Sequence, residues 1–531
     1  MKNHKTVKLV FVSVLFFFVV SRLFGIFNFP IFNDESIYLQ YSQAIHSDAS
    51  RFAYISVDNV YGDWKPPLQY WIGSPFLGWI EDPVVAGRVA SILFSLLGVI
   101  GIYFFTKHLY GKKEGLFASI FFSVSSLTLF YNTQFIAESF VFSAGAALYA
   151  CTIEIIRSLK PSRRFWCFVG AVASGAALLL LKQSGALYLY LIILFPLLVF
   201  ENKERRKRWK EELLSFKKSV FWRFICATGG IIALSFVVYR LAIPSAFFSN
   251  EMHFTGRWVM SMREILTLPF SVWAKNISSV TSLFTHYYSI GFAVLLVGFL
   301  VYTIRTRDMR DVLLSLFFLG TSVAITFLLT GFNEYMYHTA TIVFSVAILG
   351  RIAVILSEHI RSKTPPRWFF VGTLAIMVIT VGWWLYQDAL IEFAPVRYLE
   401  QSTPWAESAY LIGWSSGYGV SGVVDFLKTT NEQGTLVTDP QWGNPGTSLQ
   451  VYNASYPKLT SINMPKEFIS DSFLSALASA GLPTKGFIIY SDWFPKGDKR
   501  LEWRPYAEQL CKDRRIFTGY KTEPPIVVCK F

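Results

Sequence analysis

Residues 9–35 have the sequence LVFVSVLFFFVVSRLFGIFNFPIFNDE, in which a long apolar run leads into two adjacent carboxylates, Asp34 and Glu35. The apolar part, residues 9–29, is long enough to cross the hydrocarbon core of a bilayer, which takes about 20 residues of helix. It follows a basic N-terminal segment that includes Lys2 and Lys5, as a signal peptide would, but it is too long and lacks a small-residue cleavage site. We therefore predict that it is retained as a first membrane-spanning helix.

The composition extends this prediction to most of the chain. Of the 531 residues, 53% are hydrophobic and only 16% are charged, which is too apolar for an ordinary soluble enzyme. We predict a polytopic α-helical membrane protein with about eleven transmembrane helices. Their predicted positions are 9–29, 84–105, 115–131, 137–156, 165–181, 186–201, 220–241, 288–304, 312–331, 338–356 and 368–387.

The lysines and arginines predict the orientation in the cell membrane. They account for a formal net charge of +14, but they lie in alternate loops, most densely in residues 203–218, and form no basic domain that would indicate nucleic-acid binding. Short loops rich in these residues are typical of the cytoplasmic side. The N-terminus is therefore predicted to be cytoplasmic and, with an odd number of spans, the C-terminal region extracytoplasmic.

We predict two domains: a transmembrane module, residues 1–387, and an extracytoplasmic α/β domain, residues 388–531. The module includes a first outer loop, 30–83, and a segment, 242–287, that is either an amphipathic interfacial helix or a substrate lid. In the second domain, strand-like runs at 434–438, 486–490 and 526–529 accompany helical stretches at 421–430, 473–480 and 506–512. An oxidising compartment would permit a disulfide between Cys511 and Cys529, but sequence cannot supply their separation.

Ionisable side chains collect on the predicted outer side. They are Asp34, Glu35, Glu138, Lys182 and Lys65, the last within YGDWKPPL at 61–68. The alternatives are a solvated loop end for the acidic pair and lipid-headgroup contact for Lys65, although ionisable groups at this depth are costly unless paired or used. A carboxylate base and a phosphate-binding lysine beside a membrane bundle suggest group transfer from a lipid-anchored phosphate donor.

Several motifs together resemble a known family, the dolichyl-phosphate-mannose–protein mannosyltransferase superfamily, and more closely its bacterial and archaeal relatives, including the aminoarabinose transferases. The resemblance covers roughly the first 200 residues. It implies a GT-C glycosyltransferase that inverts the anomeric carbon as it moves a sugar from a polyprenyl phosphate to a cell-surface lipid, glycan or protein. The motifs are Asp34-Glu35, KPPL at 65–68, AGRVAS at 86–91, Tyr110-Gly111, Tyr131-Asn132, Glu138, and Leu181-Lys182 with Gly185.

The resemblance also implies roles for individual residues. Asp34 matches the catalytic carboxylate and is the expected general base, and Glu35 beside it is also expected to be catalytic. Glu138 falls where the family has a second acid and is expected to position Asp34 or the acceptor. Lys65 matches the donor-phosphate lysine, and further donor-phosphate contacts are expected from Arg88, Lys182 and His338. This chain departs from the pattern at Gln134, where many relatives carry arginine, and at residues 334–338, where relatives often carry an Arg-Tyr pair. His338 either substitutes for that cation or caps a helix.

Three points stay open at this stage. Asp34, Glu35 and Glu138 have the oxygen ligands that Mg²⁺ or Mn²⁺ prefers, but a phosphate neutralised by lysine makes a metal unnecessary. A transporter or flippase of lipid-linked sugars would also need many spans, but it would often show inverted repeats. A non-catalytic subunit of a glycosylation complex is the third reading.

Overall fold

The computed structural model describes residues 2–54, 65–214, 219–245, 259–330, 339–361, 367–402, 407–412, 415–430, 432–438, 443–463, 473–491, 504–518 and 525–531. Most of these residues are helical. In chain order the helices are Lys2–Phe24, Asn33–Ser47, Ala49–Phe52, Leu68–Gly73, Ser74–Gly78, Pro83–Leu109, Lys112–Ser123, Ser126–Asn132, Ala137–Arg157, Pro161–Leu181, Gln183–Gly185, Ala186–Leu191, Ile192–Glu201, Lys203–Lys207, Trp209–Leu214, Val220–Ala242, Met262–Leu266, Phe270–Leu283, Phe284–Tyr288, Ile290–Thr306, Met309–Leu328, Ile342–Arg361, Arg367–Phe393, Pro395–Gln401, Ser408–Ile412, Val420–Thr429, Gly446–Val451, Asn453–Ser455, Phe473–Ser479 and Arg504–Leu510.

The membrane-spanning helices agree with the sequence prediction. Within the described ranges, nine helices are long and apolar enough to cross a bilayer, and two bent pairs raise the number to eleven. One pair, Lys112–Ser123 with Ser126–Asn132, bends by 60°, and the other, Phe270–Tyr288 with Ile290–Thr306, bends by 107°. Ser289, at the second break, has a φ of 75°, and its hydroxyl accepts from Phe292 N to begin the next helix. The prediction of a polytopic helical protein with about eleven spans is confirmed.

Small residues let two of the spans approach closely. Helices Pro83–Leu109 and Ala137–Arg157 meet at Gly101, where a β-carbon would lie only 2.7 Å from the carbonyl carbon of Ala146. One turn earlier, a β-carbon on Gly98 would lie 2.8 Å from Ser143 Oγ. Because lipid is as apolar as the side chains, such close backbone packing replaces the hydrophobic effect as the force between spans.

The chain forms two compact units that interleave along the sequence. The first, called the membrane unit, comprises Met1–Ile26, Ala53–Ile72 and Arg88–Phe393. The second, called the tail unit, comprises Phe27–Phe52, Gly73–Gly87 and Ala394–Phe531. The loop between the first two spans therefore contributes to both units.

A five-stranded sheet organises the tail unit, as the predicted α/β character requires. Its strands are β1 (Gly434–Thr438), β2 (Leu459–Asn463), β3 (Gly486–Ser491), β4 (Asp513–Phe517) and β5 (Ile526–Lys530), in the order β2-β1-β3-β5-β4. β1 pairs in parallel with β2 and β3, whereas β5 pairs antiparallel with β3 and β4. The β-branched and aromatic residues that predicted β1, β3 and β5 fill the core beside the sheet, including Val437, Ile488, Tyr490 and Val527.

The two cysteines whose pairing the sequence left open form a disulfide. Cys511 precedes β4 and Cys529 lies in β5, with their Cα atoms 5.2 Å apart, within the ordinary range for a disulfide. Cys529 is fully buried. The bond links β5 to the short segment between the helix Arg504–Leu510 and β4.

The described part of the predicted interfacial segment packs along another span. Trp273 Nε1 donates to Phe327 O at 3.3 Å, and Asn276 Nδ2 donates to Thr326 O at 2.8 Å. Asn276 thereby satisfies a carbonyl at the C-terminal end of Met309–Leu328, which would otherwise lack a partner. Phe270, on the same helix, is 68% exposed, as expected of a residue facing lipid. The lid reading stays a prediction.

Candidate active site

Asp34 lies in the first turn of the helix Asn33–Ser47, called the first-loop helix, in the tail unit. All of residues 31–39 are buried except Asp34, which is partly exposed. The first turn of a helix presents unpaired backbone N–H groups and a partial positive charge, so a carboxylate is favoured there. The fold therefore presents Asp34 from an otherwise buried turn.

Glu35 has a different environment from its neighbour. It is fully buried, and its Oε2 accepts from Phe32 N at 3.4 Å, which closes the start of the first-loop helix. A glutamate at the third helical position commonly reaches back to the backbone in this way. The predicted catalytic role of Glu35 is untested, and its contacts describe a helix cap.

Tail residues distant in sequence hold the first-loop helix. The helix Gly446–Val451, called the tail helix, lies beside it within the tail unit. The hydroxyls of Ser36 and Ser448 are 2.8 Å apart, and Thr447 Oγ1 donates to Asn33 Oδ1 at 2.8 Å. Gln40 Nε2 donates to Thr447 O at 2.6 Å. Sequence reasoning did not find these residues, because partners more than 400 positions apart leave no local pattern.

Lys65 begins a turn in the membrane unit that is fixed by its neighbours. Pro66 and Pro67 are buried and restrict the backbone, and the Tyr70 hydroxyl donates to the carbonyl of Lys65. Gln69 Nε2 donates to Phe135 O at 2.9 Å. The helix Leu68–Gly73, which follows the turn, is thereby attached to the segment that leads directly into the helix Ala137–Arg157.

The structure brings two predicted site residues, Glu138 and Lys182, into direct contact. Glu138 lies in the first turn of Ala137–Arg157 and is 5% exposed, and Lys182 follows the helix Pro161–Leu181. Lys182 Nζ donates to Glu138 Oε1 in an ion pair. A charge this deeply buried is tolerated when it is paired, and removing either partner would leave the other without its counter-charge.

The remaining predicted residues are placed as follows. Arg88 is buried, and its Nη1 donates to Ile26 O at 2.7 Å, where the chain leaves the first span. Gln134 is buried, and its Nε2 donates to Phe130 O at 3.1 Å. His338 lies outside the described residues. Among those that are described, no three His, Cys, Asp or Glu side chains form a group that could hold a metal ion, and the question of a divalent cation, left open by the sequence, is untested.

The chain is similar to known proteins in both sequence and structure. Residues 64–232 match the family described as dolichyl-phosphate-mannose-protein mannosyltransferase. The structure resembles ArnT from Cupriavidus metallidurans in the apo state, with a TM-score of 0.53 and 14% identity over 99% of this chain and 98% of that one. It also resembles the apo oligosaccharyltransferase of Archaeoglobus fulgidus, with a TM-score of 0.51 and 11% identity over 91% of this chain and 69% of that one.

This chain has the GT-C fold. The matched family and these two solved proteins all belong to the GT-C glycosyltransferase superfamily, so the resemblance predicted from the sequence motifs is confirmed. A search of curated protein sequences found no significant match to this chain. The segment that matches the family includes Lys65, Arg88, Glu138 and Lys182, but it begins after Asp34 and Glu35.

Proposed function

We propose that this GT-C chain is a glycosyltransferase that moves a sugar from a polyprenyl-phosphate donor to an acceptor on the extracytoplasmic face of the cell membrane. The observation that carries the proposal is the grouping inside the family-matched segment. There, the helix Leu68–Gly73, which follows Lys65, is hydrogen-bonded through Gln69 to the segment preceding Glu138, and Glu138 is paired with Lys182. The name of the matched family supports a lipid-phosphate sugar as donor.

The proposed reaction is a single displacement. Asp34 takes the proton from the acceptor hydroxyl as that oxygen attacks the anomeric carbon, and the bond between the carbon and the phosphate oxygen breaks. The polyprenyl phosphate leaves with the bonding electrons, and the Lys65 ammonium neutralises its charge. Attack from the side opposite the phosphate inverts the anomeric carbon. Glu138 orients Lys182, and Lys182 and Arg88 make the further contacts to the donor phosphate that the family resemblance implies.

Two features support the extracytoplasmic side. The lysines and arginines of the loops favour a cytoplasmic N-terminus. The disulfide between Cys511 and Cys529 suits an oxidising compartment for the tail unit.

Replacing the proposed base tests the mechanism. Purified Asp34→Asn protein in lipid vesicles should fold but lose transfer from polyprenyl-phosphate sugars, because an amide cannot accept the proton. Asp48→Asn is the matched control. Asp48 ends the first-loop helix, is solvent-exposed, and has its pKa lowered by a hydrogen bond from the Ser50 hydroxyl. This control should keep wild-type turnover.

The outcomes separate the candidate functions. Full turnover by Asp34→Asn would remove Asp34 from the mechanism. Wild-type protein that moved lipid-linked sugar across the bilayer without transferring it would support the transporter reading instead. Mass spectrometry of cell-surface glycans from a deletion strain, compared with the parent, would identify the sugar and the acceptor.

A further inference from the structure

Residues of the tail unit contact the backbone of the segment that leads into Asp34. Asn33 N donates to Ser415 O at 3.2 Å, and Asn444 Nδ2 donates to Ile31 O at 3.3 Å. Gly417 approaches so closely that a β-carbon there would lie 2.0 Å from Ile31 O. The backbone immediately before the carboxylate is therefore fixed by three separate tail residues.

A second group of contacts fixes the rotation of the first-loop helix. Asn33 and Ser36 are three residues apart and share one face, and they meet the hydroxyls of Thr447 and Ser448 in the tail helix. Asp34 lies about 100° around the helix from Asn33, so it can stay exposed while that face is bound. Thr447 is 5% exposed and Ser448 is fully buried. Apolar side chains would hold the two helices together, but paired hydroxyls also define one angle between them.

We propose that Asn444, Thr447 and Ser448 are positioning residues that orient Asp34 for proton transfer, which makes the tail unit part of the transfer machinery. This proposal rests on the proposed function, because it takes Asp34 as the base. A general base must lie within hydrogen-bond reach of the proton that it removes. The effect of these residues should therefore appear in turnover more than in donor binding.

The test compares two hydroxyl deletions of the same kind. Thr447→Val removes the hydroxyl that contacts Asn33 and also the backbone of Gly443, while keeping the shape, and Thr447→Ser restores a hydroxyl. The control is Thr435→Val, because Thr435 is also a buried tail residue and its hydroxyl donates to a backbone oxygen, Pro483 O, at 2.7 Å. Steady-state transfer from a polyprenyl-phosphate sugar gives kcat and the KM for the donor.

We expect Thr447→Val to lower kcat about tenfold to a hundredfold, the range of a displacement of up to about 1 Å, while the donor KM changes by less than about twofold. Thr447→Ser should recover most of the lost kcat. Thr435→Val should keep kcat even where its thermal midpoint falls as far as that of Thr447→Val. Equal kcat values for the two valine variants would overturn the positioning role.

A double-mutant cycle keeps the proposal testable if Thr447→Val does not fold. In Ser36→Ala, Ser448→Ala and the double variant, the losses in kcat should be less than additive, because both single variants delete the same hydroxyl pair. Ser448→Ala should show the larger single loss, because the Ser448 hydroxyl also donates to Asn444 Oδ1. Additive losses would contradict a shared positioning contact. Asp34→Asn, measured alongside, separates the two proposals. If it is inactive but these variants are unaffected, the positioning role falls and the proposed function stands, whereas an active Asp34→Asn overturns both.

Discussion

Lys182 illustrates what a single ion pair does for this protein at the residue scale. We predict that Lys182→Met lowers stability by about 3 kcal/mol, because it leaves the buried Glu138 carboxylate without its cation. The double variant Glu138→Gln with Lys182→Met should recover part of that loss. Thermal unfolding followed by tryptophan fluorescence in detergent measures both effects. Lys207→Met is the control, because its pair with Glu204 is largely exposed and contributes little.

An unchanged unfolding midpoint for Lys182→Met would show that water reaches Glu138 and replaces the ammonium. Loss of transfer activity without loss of stability would instead favour a direct contact between Lys182 and the donor phosphate.

The sequence located the ionisable residues but did not show which contacts they make in the folded protein. Glu138 and Lys182 were both predicted as site residues. Their pairing was not predicted, because it depends on two helix ends that meet only in the folded protein. Arg22, inside the first span, was not singled out, although a buried cation in an apolar run is a usable signal. Its Nη1 donates to Ser123 O at 2.6 Å and its Nη2 to Thr128 Oγ1 at 3.0 Å. Asp388 and Glu392 of the last span act on it electrostatically.

At the scale of elements, the effect of replacing a glycine by alanine should depend on how closely the neighbouring span approaches. Gly101→Ala should lower the unfolding temperature, because its methyl group would lie 2.7 Å from the backbone of Ala146. Gly298→Ala is the matched control. A β-carbon there meets no atom within 4 Å and faces an apolar cavity of about 300 Å³. It should be neutral or slightly stabilising, because alanine favours helix more than glycine does. Equal midpoints would mean that the two spans separate freely at Gly101.

Span positions followed from sequence because length and apolarity decide them locally. The breaks within two of the spans did not follow from sequence, because the 107° bend depends on the backbone conformation of one residue, Ser289. Strands β1, β3 and β5 were predicted from β-branched and aromatic runs. Strand β4 was not, because its sequence DRRIF is mostly exposed at the edge of the sheet and lacks the apolar alternation of a buried strand.

For the whole molecule, the proposed orientation can be measured by thiol labelling of intact cells. The three free cysteines, Cys151, Cys167 and Cys226, are first replaced by serine. A membrane-impermeant maleimide should then label Ser479→Cys, an exposed position in the tail unit. It should label Lys210→Cys, exposed between two spans, only after the cells are opened. The reverse pattern would place the tail in the cytoplasm and overturn the proposed side of transfer.

The two-unit organisation is the part of the fold that sequence could not predict. Hydropathy divides a chain into apolar and polar segments, but it does not say which polar segments pack together. Residues 27–52 and 73–87 come early in the chain, yet they cluster with Ala394–Phe531. Only contacts between distant residues, such as Ser36 with Ser448, define this unit.

The separation of Ser36 from Ser448 also sets an order of events during biosynthesis. The two residues are 412 positions apart, so the ribosome finishes the second about 20–80 s after the first at about 5–20 residues per second. During that interval the segment bearing Asp34 has been translated but lacks its partners. The nascent chain therefore completes the surroundings of the proposed base only after Ser448 has been translated.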